Sequence, residues 1–79
     1  MWFRKKYFVV YLMTDSNKVI DKDCFCFRRK IDAEKKKEEL INELRNHGGN
    51  SFANIYKNEN NCTYITYHDI RFTCWIDVL

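Results

Sequence analysis

Only one stretch of this chain repeats its apolar residues at helical spacing, and almost everything around it reads as strand. Ala33, Leu40, Ile41 and Leu44 form a single apolar stripe, the three-to-four-residue recurrence of a helix lying on a core. The spacing predicts a helix over residues 33–47. Asp32 precedes it as an N-cap, a position where a carboxylate accepts from free backbone N–H groups. Glu34 falls in the first turn, where the helix dipole favours negative charge. Lys37 lies on the stripe and can lay its methylenes along the core edge. Lys35 and Glu39 make an i,i+4 pair. Arg45 and His47 occupy the last turn, and Gly48 is placed to end the helix in a left-handed conformation.

The remaining apolar segments carry strand formers in alternation. Residues 2–13 read as a long first strand. A polar cluster, Thr14-Asp15-Ser16-Asn17, turns the chain. Val19 and Ile20 extend the returning strand, Asp21-Lys22-Asp23 interrupts it, and residues 24–29 are the second strand proper. After the helix come strands at 51–57, 62–68 and 71–78, joined by a hairpin loop at Asn58-Glu59-Asn60-Asn61 and a tighter reversal at His68-Asp69-Ile70. The expected fold is α+β: a single helix packed on an antiparallel sheet of about five strands, in the order ββαβββ. The first and last strands are the most apolar and so belong at the centre. A sheet order 2-1-5-4-3 satisfies this, with charged residues at the edges to discourage further strand pairing.

One helix leaves much of one sheet face uncovered. Alternation offers two sets for β-strand faces. The helix-side set is Phe8, Val10, Leu12, Ala53, Ile55, Ile65, Phe72, Cys74, Ile76 and Val78. The uncovered set is then Tyr7, Val9, Tyr11, Phe52, Tyr56, Tyr64, Thr66, His68, Arg71 and Trp75. A one-residue slip inverts any strand. The two tryptophans, five tyrosines and six phenylalanines of this short chain matter here. Rings with polar tips are enriched at binding surfaces. On this assignment Tyr7, Tyr11, Tyr56, Tyr64, Arg71 and Trp75 are the candidate partner-binding residues of the open face. Rings merely covered by long polar side chains are the bland alternative.

Basic residues form a second candidate surface. Arg4-Lys5-Lys6 and Arg28-Arg29-Lys30 come to one end of the sheet if strands one and two pair as a hairpin, beside the helix N-terminus. Arg4, Lys6, Arg28, Arg29 and Lys30 are therefore added to the partner-binding set; solvated charge with no partner is the bland reading. Lys35-Lys36-Lys37 is less specific, because consecutive helical residues point in different directions. The 14 Lys and Arg against 11 Asp and Glu give a net charge of only +3. That is milder than most DNA binders and of the wrong sign for a DNA mimic.

Seventy-nine residues make one domain, residues 1–79, and leave little room for a deep catalytic pocket. The start, Met1-Trp2-Phe3-Arg4-Lys5-Lys6, lacks the order of a secretory leader, so reduced cysteines in a cytoplasmic setting are expected. Cys24 and Cys26 share one strand face and cannot easily bridge each other. Apolar runs such as Tyr7 to Met13 fall well short of the ~18 residues of a membrane span.

Chemical motifs are absent from the sequence. It holds only His47 and His68 as histidines and no HExxH, GxSxG, P-loop or GxGxxG pattern. Cys24-x-Cys26 lacks zinc-chelate spacing. Asp15, Asp21 and Asp23 lack the glycine and glutamate of a calcium loop and read as solvated turn residues. Asn61-Cys62-Thr63 matches a glycosylation sequon without a secretory context. The expectation is no catalytic residue, no metal, no cofactor and no enzyme activity.

In length, aromatic load, element order and lack of catalytic motifs, the chain resembles the small inhibitors that phages and mobile elements encode against bacterial defence, the anti-CRISPR proteins being nearest in style. No shared motif carries this resemblance, so no family residue transfers to this sequence. It implies stoichiometric binding to a bacterial protein or ribonucleoprotein effector complex in the host cytoplasm, with RNA as a further contact. Two other readings stand beside it. One is a small RNA-binding regulator or antitoxin-type inhibitor, whose aromatic sheet face stacks bases while basic strand ends hold phosphates. The other is a self-associating domain, such as a homodimer. No membrane partner is expected.

Overall fold

The structure, a computed structural model, describes residues 5–48, 56–59 and 62–79. The chain is α+β, with one helix and one antiparallel sheet among the described residues. Strands β1 (Tyr7–Asp15) and β2 (Lys18–Phe27) form a hairpin, helix α1 (Lys30–Gly48) follows, and strands β3 (Tyr56–Glu59), β4 (Cys62–Tyr67) and β5 (Ile70–Val78) complete the sheet. The strands lie in the order β2-β1-β5-β4-β3. Each pair is antiparallel, and the Lys6 and Leu79 backbones exchange two further bonds of 2.9 Å.

The turns follow their residues. Ser16 and Asn17 both take positive φ, 51° and 68°, as a two-residue type I′ hairpin requires. Asparagine tolerates that region well; serine does so less readily. The Ser16 N–H donates to the Asp69 carbonyl at 3.0 Å, tying this tip to the β4–β5 turn, where His68 has φ 53°.

Helix α1 begins earlier than its apolar stripe suggests. The Ala33 N–H donates to the Arg29 carbonyl at 3.3 Å, so Asp32 lies inside the first turn instead of capping it. Its carboxylate sits 3.6 Å from the Arg29 guanidinium. The same preference for negative charge near free N–H groups serves both positions, which is why the sequence does not separate them.

The core is built on Val9, Ala33, Ile41, Ile65, Phe72 and Cys74, with Tyr7, Tyr11, Met13, Phe25 and Phe27 packed against it. The helix rests on β1, β2 and β5. This inverts the expected facing of β1. Val9 is 0% exposed, and Tyr7, Val9, Tyr11 and Met13 share its side. Phe8, Val10 and Leu12 therefore face away from the helix. β1 is apolar on both sides, so alternation alone carries no sign. The aromatic contacts supply it. Tyr11 stacks on Phe72 at 5.6 Å and on Phe25 at 6.5 Å. Its hydroxyl, reaching the sheet edge, donates to Asp21 at 3.0 Å. Facing of β4 and β5 follows the alternation, with Ile65 paired to Phe72 and Thr63 to Cys74. Phe52, Ala53 and Ile55 lie outside the described residues.

Asp21-Lys22-Asp23 does not interrupt β2, nor are these aspartates turn residues. They lie inside the strand, where alternate backbone groups of an edge point away from the sheet. The Lys22 N–H donates to the Asp21 carboxylate at 2.9 Å and the Cys24 N–H to the Asp23 carboxylate at 2.8 Å. Each aspartate occupies a donor that an incoming strand would need. A shift in register between Met13 and Thr14 further distorts the edge beside Ile20. Replacing both aspartates by alanine is expected to increase self-association in sedimentation across a concentration series. Unchanged association would mean that the carboxylates do not guard the edge.

All four cysteines are free thiols. Burial pushes the Cys74 thiol up to about 11; the nearby Lys37 charge opposes the shift and Cys62 adds to it. An acid with a raised folded-state pKa keeps its proton longer when folded. This group's contribution is thus complete below the ordinary thiol value of 9.0 and falls as pH rises from there to about 11. Tyr11 is shifted upward as well, first by burial and then by the Asp21 bond and neighbouring carboxylates. Urea midpoints are expected to decline through that alkaline window, and to decline less in Cys74→Ala.

Candidate functional site

The inverted β1 changes the composition of the open face. Register places Cys24, Val10, Trp75 and Cys62 in one row across β2, β1, β5 and β4, with Lys22, Leu12, Thr73 and Tyr64 in the next. Phe8 lies between Cys26 and Asp77. The centre is therefore aliphatic and aromatic together: Phe8, Val10 and Leu12 from β1, Trp75 from β5 and Tyr64 from β4. All five are half-buried. Two shallow hollows of about 420 and 400 Å³ meet at Val10 and Cys24, the second reaching Leu12 and Trp75.

Polar contacts orient the rings. The Trp75 indole N–H donates to Asp77 at 3.2 Å, fixing a large ring beside Val10. The Arg71 guanidinium lies 5.4 Å from the Tyr64 ring centroid, a cation–π arrangement. A third hollow, about 390 Å³, runs from Leu12 past Arg71 and Thr66 to the His68 turn. His68 itself is in that turn and not on the face.

Of the residues expected to form one aromatic surface, Tyr64, Arg71 and Trp75 come together here. Tyr7 and Tyr11 do not: both pack on the helix side against the core, because β1 faces the other way. Tyr56 pairs with Ile65 in the backbone register, and its side chain lies outside the described residues. Phe8, Val10 and Leu12 take the place of the two tyrosines. Their signal was present in the sequence as an apolar run on β1, but it fitted a core face equally well.

The described members of the first two basic clusters lie at one end of the sheet. The Tyr7–Phe27 pairing puts Lys5 and Lys6 beside Arg28, Arg29 and Lys30 at one end of the sheet, all exposed. Arg29 faces Asp32, and the Lys30 ammonium is 3.9 Å from Glu34, which dilutes the positive charge at the helix start. Arg4 lies outside the described residues.

Among the described residues, no group of three or more His, Cys, Asp or Glu is arranged to hold a metal ion, and no helix is long and apolar enough to cross a membrane. Comparison with protein-family models, curated proteins and solved structures finds no match.

Proposed function

We propose that this chain is a non-enzymatic binding protein that docks the open face of its sheet on a protein partner. In that role it would act as the small phage-encoded inhibitors do, occupying a surface that a bacterial defence effector or nuclease complex needs in the host cytoplasm. The observation that carries this reading is the contiguous surface of Phe8, Val10, Leu12 and Trp75, which no helix among the described residues covers, flanked by Lys22, Arg71 and Asp77. An apolar patch with a charged margin is the composition of a protein interface. A large aromatic anchored by its own hydrogen bond is the kind of residue that dominates binding energy.

The RNA-binding reading draws on the Arg71–Tyr64 pair and on the basic sheet end. It is weaker, because the inverted β1 puts the aliphatic Val10 and Leu12 at the centre of the face where the Tyr11 ring was expected, leaving Phe8 as the ring that β1 contributes, and stacking needs rings. Capture from a bacterial lysate, followed by titration of the isolated partner against salt, separates the two. Apolar docking is expected to leave affinity within about tenfold between 50 and 200 mM salt. A ribonucleic acid ligand held by six or more phosphates would lose roughly a thousandfold or more over that range. A partner that proves to be RNA, with that steep slope, would replace the protein-docking reading.

A further inference from the structure

Docking through the open face leaves the basic end of the sheet without a role. The ladder runs one row past Tyr7 and its partners Phe27 and Val78, because the Lys6 and Leu79 backbones exchange two bonds of 2.9 Å. Leu79 therefore lies beside Lys6, and Arg28 follows Phe27 on the other side of β1. Lys5, Lys30 and Val78 line one cleft together, and Ile31 is the second residue of α1.

Apolar and basic side chains are both exposed at this end. Ile31 is 49%, Val78 51% and Leu79 79% exposed. Lys5, Lys6, Arg28, Arg29 and Lys30 are exposed as well. Asp32 and Glu34 offset Arg29 and Lys30, and Asp77 accepts from the Trp75 indole. Lys5, Lys6 and Arg28 have no carboxylate within ion-pair distance among the described residues. The tract before Lys5 in sequence, Trp2-Phe3-Arg4, has the same mix of apolar and basic residues.

Cations alone suit any polyanion. A nucleic-acid backbone is held by cations and hydrogen bonds, and aliphatic side chains add little to that contact. An anionic lipid surface uses both kinds of residue: cations meet the head groups while apolar side chains enter the acyl boundary. The shortness of the apolar runs bears on spanning and not on contact at a surface. The expectation of no membrane partner therefore does not extend to this end.

We propose that the basic end of the sheet docks on an anionic lipid surface, with Lys5, Lys6 and Arg28 against the head groups and Ile31, Val78 and Leu79 entering the boundary beneath them. The row containing Val10 and Trp75 is not part of this contact.

Flotation with phosphatidylcholine vesicles, and with vesicles of equal parts phosphatidylcholine and phosphatidylglycerol, tests it. The chain is expected to bind the mixed vesicles about tenfold or more tightly than the neutral ones, each unpaired cation adding about fivefold at an anionic surface. High salt should erase that preference. Lys6→Glu combined with Arg28→Glu should weaken mixed-vesicle binding by about tenfold or more. Ile31→Ser combined with Leu79→Ser should weaken it by about tenfold. Trp75→Ala should leave vesicle affinity unchanged, so failure here is distinct from failure of the open-face reading. The proposal is overturned by equal binding to the two vesicle types, or by the Ile31 and Leu79 double variant binding mixed vesicles as the wild type does. Saturable binding of single-stranded oligouridylate without binding of mixed vesicles would also overturn it, and would make this end an RNA contact. If a double variant loses its circular dichroism signal, the two vesicle compositions compared on the wild-type chain decide.

Discussion

Phe72→Ala is expected to remove about 3–5 kcal/mol of folding stability. Phe72 is 3% exposed, stacks against Tyr11 and sits opposite both Met13 and Ile65 in the register. It therefore links the two halves of the sheet on the helix side. A folded chain of 79 residues has a total of roughly 4–12 kcal/mol to lose. With a urea slope of about 1–3 kcal/mol/M, the midpoint should fall by at least about 1 M, and the weaker end of the range leaves the chain unfolded in water. A loss below ~1 kcal/mol would contradict this core. Val9→Ala and Val10→Ala form a finer test. The fully buried Val9 should be the costlier change, and the reverse ranking would restore the other facing of β1.

Trp75→Ala is expected to weaken partner binding by about thirtyfold or more, the effect of losing an anchor of at least ~2 kcal/mol. The ring is half-buried on the open face and held by Asp77, so its truncation removes contact area with little change to the helix-side core. Far-UV circular dichroism should be retained. Tyr11→Phe is the contrasting variant: it keeps the stacked ring and removes only the bond to Asp21. It should cost about 0.5–1.5 kcal/mol or less of stability and leave partner affinity unaltered. Equal affinity of wild type and Trp75→Ala, with fold retained, would exclude the row containing Val10 and Trp75 as the docking surface. Loss of binding in Tyr11→Phe would move that surface to the helix side.

The parts of the site that could be read from sequence were those with an asymmetric strand. In β5, Phe72, Cys74 and Ile76 alternate with Arg71, Thr73 and Trp75, and the polar members identify the outer face. In β4, Ile65 against Thr66 does the same. β1 offers no such contrast, since Phe8, Val10 and Leu12 are as apolar as Tyr7, Val9 and Met13. The edge aspartates were also misplaced by sequence. Asp21 and Asp23 carry a turn-forming side chain, yet each turns its carboxylate onto the next residue's N–H while the backbone stays extended. Local propensity does not register that outcome, because it depends on β2 being an edge.

Periodicity and strand chemistry in this sequence were sufficient to determine an α+β chain with a helix lying on an antiparallel sheet, and hence that among the described residues one sheet face has no helix over it. They also determined which end collects Lys5, Lys6, Arg28, Arg29 and Lys30, because the β1–β2 hairpin sets Tyr7 against Phe27. Only tertiary packing decided which residues of β1 go uncovered. A strand that is apolar on both sides is oriented by what its neighbours need. Here that need was the Tyr11 ring between Phe25 and Phe72, and its hydroxyl on Asp21.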